Sequence, residues 1–299
     1  MTPHDNDPLV ACLAELATEL DRENIPVILG GGLSQYLRGK VIGGRSPRYP
    51  FAAPARSTDD LDLFLSPQLI VDIGKIDGLR RALAAQGYSV RPEARNFQFE
   101  KNISLYGQAR AVKVDLLAAP PAGEDIAKVT IKRPRIKPKG VDDIHAYLAD
   151  ESEGIELGKI PVPPALLSAS LRMKNDVLFI PSVFNFLILK LHAFGDSKND
   201  EKKNLGRHHA WDIFAAVAGM AEADWAAARA HLASHAARPY LLKAAAIRAA
   251  EFSSTTALGL LRLRENEAYK RERALYDGYL ELVIQDLAEL FTRDKHSGR

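Results

Sequence analysis

Three aspartates carry the strongest chemical signal in this chain of 299 residues. Two lie in Arg56-Ser-Thr-Asp-Asp-Leu-Asp-Leu-Phe-Leu65, where strand alternation would set Asp60 and Asp62 on one face and Leu61, Leu63 and Leu65 on the other. Two carboxylates about 7 Å apart on one face repel, and holding them beside a core is costly without cations. Hard divalent ions with oxygen ligands meet that need, and Mg2+ takes one or two carboxylates together with substrate phosphates. The third aspartate, Asp115, interrupts the apolar run Val112-Lys-Val-Asp-Leu-Leu117, where a lone charge is otherwise hard to explain. Taken alone, Thr58-Asp-Asp-Leu-Asp62 reads first as a solvated turn or helix cap, and Asp59, expected to face away from its neighbours, is treated as a capping or loop residue.

Upstream, Val27-Ile-Leu-Gly-Gly-Gly-Leu-Ser34 is an apolar run entering glycines and then a helix start. Backbone N–H groups at such a terminus bind phosphate oxygens, and Ser34 can add a hydroxyl. The run is neither a dinucleotide fingerprint, since the third glycine is missing, nor a P-loop, since Gly39-Lys40 is followed by Val41. Arg56 stands four residues before Asp60 and can pair with phosphate through its planar fork, or be an ordinary surface arginine; Arg38, one turn beyond Ser34, has the same two readings. Lys190 ends the apolar run Phe184-Asn-Phe-Leu-Ile-Leu189, beside a buried helix face. His192, His208 and His209 do not complete a zinc set, and no Gly-x-Ser-x-Gly elbow is present.

The elements that must position these residues follow from periodicity. Helical spacing over 8–23, a strand at 26–30, a helix from Leu33 to Arg38, a long loop over 39–57, a strand at 61–65 and helical material over 68–87 come first. Strands at 88–91, 97–101 and 111–117 follow, and the chain from Ser182 onward is Ala- and Leu-rich with helical spacing, as in 221–236 and 241–250. The expected class is α+β: residues 1–140 as a domain with a mixed sheet flanked by helices, and 141–299 as a mainly helical domain.

With these elements in order, the chain resembles the nucleotidyltransferase superfamily of DNA polymerase beta-like fold, whose pattern is a glycine turn, hDxD on a strand and a third Asp. Gly31-Gly-Leu-Ser34 with Arg56-Ser-Thr-Asp-Asp-Leu-Asp62 is most similar to the abortive-infection type IV toxin (AbiEii) branch. The likeness covers the first 120 residues and continues loosely at Lys190 and at His208-His-Ala-Trp-Asp-Ile213, where Asp212 matches the second acid of a family motif and His209 replaces the first. The resemblance implies NMP transfer from a nucleoside triphosphate to a hydroxyl with two Mg2+ ions, Mn2+ being an alternative. Asp60, Asp62 and Asp115 would be the catalytic and metal-binding residues, with Asp115 as a candidate general base; Gly31, Gly32, Ser34, Arg56 and Lys190 would bind nucleotide.

Bulk composition narrows the setting. The net charge is only +2, but Arg38–Arg56 carries five basic residues and Lys128–Lys139 six, neither with an acid, which points to phosphate-bearing ligands. A lone cysteine, Cys12, excludes a disulfide framework. A polar, acidic start and no long apolar run argue against a signal peptide or a membrane span, so a cytoplasmic protein is expected. RNA such as tRNA is the expected acceptor, with the protein as the toxin half of a toxin–antitoxin or phage-defence module and an antitoxin as partner. The 128–139 run would touch RNA phosphates, or be a solvated edge strand protected by its lysines. Two alternatives stay open: an antibiotic-type transferase with a small-molecule acceptor, which the acids of Asp142–Glu156 would suit, and a non-catalytic nucleotide- or partner-binding module.

Overall fold

Leucines at helical spacing produce the first element, α1 (Pro8–Arg22), which buries Leu9, Leu13, Leu16 and Leu20. This is a computed structural model, and it describes residues 8–292 apart from 43–45, 47, 57, 59, 95, 106 and 107. Arg45 of the first basic stretch, Asp59 and the acidic start of the chain therefore lie outside the described residues. The architecture is mixed α/β, and the chain divides into two compact units: 1–41 with 57–181, and 42–56 with 182–299.

The first unit holds a ten-stranded mixed sheet. After β1 (Val27–Leu29) and α2 (Gly31–Ile42) come β2 (Asp60–Leu65), α3 (Pro67–Val71) and α4 (Ile73–Ala85). Then follow β3 (Ser89–Val90), β4 (Gln98–Leu105), β5 (Gln108–Ala118), β6 (Val129–Lys132), β7 (Arg135–Pro138), β8 (Ala146–Leu148), β9 (Ile160–Pro161) and β10 (Leu178–Ile180). The main path runs β6-β7-β8-β5-β2-β1-β10-β9, with β4 on β5 and β3 on β4. β5 is the spine: β2 runs parallel along one edge, while the other edge pairs first with antiparallel β4 and then, at Leu117 and Ala118, with parallel β8.

Several expectations shift. The helix expected to stop at Arg38 continues to Ile42, because Gly39 faces open space and the buried Leu33 and Leu37 anchor the turns before it. The helical material expected over 68–87 forms two helices, hinged at Asp72, whose carboxylate caps α4 by accepting from the Lys75 amide at 3.1 Å. The boundary expected at 140 falls inside the first unit, since β8 and β10 join the sheet and bury Leu148, Leu178 and Ile180. Strands of two or three residues carry no alternation from which sequence could read them.

The second unit is helical: α5 (Val183–Ser197), α6 (Arg207–Ala218), α7 (Glu222–His235), α8 (Pro239–Glu251), α9 (Leu258–Arg264), α10 (Glu267–Arg271), α11 (Arg273–Asp277) and α12 (Leu280–Leu290). Ser182 caps α5 by accepting from the Asn185 amide at 3.2 Å. Residues of the stretch expected to be a long loop over 39–57 contribute to this core. Phe51 packs on Phe214, Tyr276 and Tyr279, the Tyr49 hydroxyl donates to Asp286 at 2.7 Å, and Trp211 Nε1 donates to the Pro54 carbonyl at 3.1 Å. Among the described residues, no helix is long and apolar enough to cross a membrane.

Candidate functional site

Alternation on β2 sorts the side chains as expected. Leu61, Leu63 and Leu65 have no exposed surface, whereas Asp60 and Asp62 are half-buried on the opposite face. In the parallel ladder Asp62 is the direct partner of Asp115 on β5, and Asp60 of Lys113, so all three carboxylates share one face. Lys113 Nζ stands 3.6 Å from Asp60 Oδ1, an oxygen that is buried and accepts no hydrogen bond. On the other side of Asp115, Gln98 is its antiparallel partner and donates its amide to Asp115 Oδ1. The Gln98 carbonyl oxygen in turn accepts from Arg91 Nη1 at 2.7 Å. Burial holds the Asp115 carboxyl above its ordinary range; the Gln98 amide opposes this, and the negative charge of Asp60 adds to it.

The donor set is hard and all-oxygen, which suits Mg2+ or Mn2+. Among the described residues no three metal-ligating groups are gathered at coordinating range. The Lys113 ammonium and the Gln98 amide stand on the carboxylates, so coordination requires side-chain rotation about backbone positions that the ladder already sets. The site fits a cation in its backbone and chemistry: one face, three carboxylates, and a buried oxygen with no hydrogen bond.

The glycine turn is tied to the same aspartate. The Gly30 amide donates to the Asp62 carbonyl at 2.7 Å, extending the β1–β2 ladder, and α2 begins at the next residue. Gly31 has φ +65°, and a Cβ there would collide with Asp62 Oδ2; one on Gly30 would meet the Phe64 ring at 2.5 Å. Glycine therefore lets the first turn of α2, whose leading amides have no intrahelical acceptor, lie against the Asp62 carboxylate. Gly32 is buried, and so is Ser34, whose hydroxyl donates to the Gly31 carbonyl at 2.8 Å. The Ser34 proton is thus committed to the turn. Arg38 is buried rather than solvated.

Arg56 and Lys190 belong to the second unit, where both meet Asp212. Lys190 Nζ is 2.7 Å and Arg56 Nε 3.3 Å from Asp212 Oδ2, and Asp212 is only 3% exposed. Burial alone would raise the Asp212 carboxyl, but Lys190 and Arg56 outweigh it and hold it below its ordinary range. Burial pushes His209 down to about 3, with the Lys190 charge adding to it; burial and then the Arg56 charge also lower His208. Both imidazoles are neutral at neutral pH. Beside them Arg56, Asn204, Arg207, His208, Trp211 and Asn266 help line a cavity of about 230 Å3. Asn204 and Leu205 both adopt positive φ at its edge, a costly conformation for leucine.

Sequence reasoning missed Lys113 and Gln98, which the ladder sets beside Asp60 and Asp115. A polar residue alternating with Phe97 and Phe99 was the available signal for Gln98. Comparison with protein-family models, with curated proteins and with solved structures found no match for this chain.

Proposed function

We propose that this chain is a metal-dependent nucleotidyltransferase, moving NMP from a nucleoside triphosphate to a hydroxyl of an RNA acceptor. The observation that carries the reading is the pairing of Asp62 with Asp115 on adjacent parallel strands, with a glycine turn pressed on Asp62. The finer fold, a minimal nucleotidyltransferase domain followed by a helical one, belongs to the same proposal. So does a cytoplasmic role as a toxin paired with an antitoxin protein.

Asp60, Asp62 and Asp115 would hold two Mg2+ ions, or Mn2+, which supply charge neutralisation at the reacting phosphate and at the leaving group. The amides of Gly31 and Gly32 at the head of α2 receive the β- and γ-phosphates. The acceptor oxygen bonds to the α-phosphorus, the bond from that phosphorus to the α,β-bridging oxygen breaks, and pyrophosphate leaves with the electron pair. The hydroxyl proton passes to the Asp115 carboxylate, which its pairing with Asp62 sets on the same face as the other two carboxylates. Ser34 keeps the Gly31 carbonyl turned into the helix and so keeps the amides facing outward. The resemblance also implies Arg56 and Lys190 as nucleotide-binding residues; within the helical unit both stand on Asp212.

A cationic small-molecule acceptor has less support. Four of the six acids expected to attract it are engaged elsewhere: Asp142 by Lys137, Asp143 by Arg80, Asp150 by Arg133 and Glu156 by Lys159. The test is transfer of label from each α-labelled ribonucleoside triphosphate into RNA, with wild type beside Asp60→Ala and Asp62→Asn. Label on RNA that both variants lose is the expected result. Label on no acceptor, with no Mg2+-dependent nucleotide binding by calorimetry, would overturn the reading.

A further inference from the structure

Residues opposite one another in a ladder carry their side chains on one face, and residues two apart on a strand share a face. From Asp115 on β5 this leads to Leu117, the partner of Tyr147 on β8. Tyr147 is the partner of Arg135 on β7, Arg135 of Lys132 on β6, and Lys137 of Thr130. Exposure follows the same parity: Tyr147 is 40% exposed between buried Ala146 and Leu148, and Arg135 and Lys137 flank buried Ile136. The carboxylates and the basic hairpin therefore share one face of one sheet. Two residues along β5 and three strand spacings separate Asp115 from Lys132, roughly 15 Å in the backbone, the reach of a few nucleotides.

The hairpin is concave on this face. Thr130, Lys132, Arg135, Lys137, Asp142 and His145 line a cavity of about 200 Å3. Its one acid, Asp142, is engaged by the Lys137 ammonium, while Lys132 and Arg135 form no ion pair among the described residues. Lysines that merely guard a sheet edge point outward into solvent; here the cations converge on a hollow. The aromatic missing from the 128–139 run arrives from the neighbouring strand. The Tyr147 ring is held edge-on to Phe97, with centroids 6.0 Å apart and planes at 62°, and lies between the cations and the carboxylates.

We propose that this face is a track for single-stranded RNA, with Lys132 and Arg135 taking backbone phosphates and Tyr147 stacking an unpaired base on its way to Asp115. A positive groove with an aromatic platform is how single strands are held, and a duplex offers Tyr147 no splayed base. The track rests on the nucleotidyl-transfer reading for its purpose but not for its binding.

The test is fluorescence anisotropy with a short labelled oligoribonucleotide of mixed sequence, over a series of salt concentrations, without nucleotide or divalent ions. Lys132→Gln with Arg135→Gln should weaken binding more than tenfold and reduce the slope of log affinity against log salt by about 1.4, the release expected for two phosphates of a single strand. Tyr147→Ala should weaken binding about tenfold with the slope unchanged, and Tyr147→Phe should restore it. Calorimetry of a Mg2+-loaded nucleoside triphosphate on the same variants should match wild type. Unchanged RNA affinity and slope in the double variant, or equal binding of the matching duplex, would overturn the track even if nucleotide binds normally. RNA binding with these dependences but no nucleotide binding in wild type would uphold the track and sink the transferase reading.

Discussion

Replacing Gly31 with alanine places a methyl group where the Asp62 carboxylate now lies, and the structure separates that collision from mere backbone strain. Gly31 sits at φ +65°, so alanine there incurs the left-handed cost of about 1–2 kcal/mol. Gly87 sits at φ +74° with nothing within 4 Å of where a methyl group would stand, so Gly87→Ala incurs that cost alone. Gly39 lies inside α2 with open space around it, and Gly39→Ala should stabilise by about 0.5–1 kcal/mol. The three together isolate the contact. By urea denaturation Gly31→Ala should exceed the loss in Gly87→Ala by about 1 kcal/mol or more, the usual cost of forcing an extra group into a packed site. In the label-transfer assay Gly31→Ala should lose about 100-fold, as expected when a catalytic group moves by about 1 Å, while Gly87→Ala and Gly39→Ala stay near wild type. A Gly31→Ala protein with wild-type transfer, and with no more stability lost than in Gly87→Ala, would refute the claim that the glycine exists to seat Asp62.

Asp115→Asn should abolish transfer yet stabilise the metal-free protein at neutral pH. Because burial raises the folded carboxyl above its ordinary 3.8, the wild-type penalty develops as pH rises through 3.8 toward the folded value, so the gain should vanish in acid; denaturation of both proteins across pH checks this. His231 is 6% exposed, accepts or donates at the Tyr240 hydroxyl at 2.7 Å, and is pushed down to about 4 by burial, with His235 adding. Its unfolded form takes a proton below about 6.5 while the folded form does not until about 4. The protein should therefore lose up to about 3 kcal/mol as pH falls through that window, and His231→Gln should flatten the loss in a pH series of melts. Lys190→Met leaves Asp212 buried with Arg56 as its remaining cation and should cost about 3–5 kcal/mol, whereas Lys190→Met with Asp212→Leu should recover most of it in chemical denaturation.

Period-two alternation was enough to put Asp60 and Asp62 on one face from sequence, because the leucines between them have to go inward. The partnership of Asp62 with Asp115 was not legible. Register between strands about fifty residues apart in the chain is set by how helices and neighbouring strands pack, and no local pattern encodes it. The glycine turn was readable as a turn, but its contact with Asp62 needed the β1–β2 ladder. Lys190 and Asp212 stand out singly in the sequence, but only the packing of α5 on α6 brings them to 2.7 Å. The hardest segment was 42–56. Tyr49 and Phe51 sit among prolines and arginines with no helical or strand spacing, so nothing local marks them as core, and only the helical unit shows what they pack against.

That segment constrains how the chain can be divided. A cut after residue 181 leaves the helical unit without Tyr49 and Phe51, and a cut after residue 41 leaves the sheet unit without β2. No single break yields both units whole, so exchange of genetic material at one breakpoint can pass on one unit complete but never both. On the ribosome the same arrangement imposes a wait. The sheet unit can gather its last strand once residue 180 has emerged, but the Tyr49 hydroxyl has no acceptor at Asp286 until that residue, 237 positions later, has been made. Synthesis therefore finishes the sheet around a segment that is held in reserve for helices not yet translated.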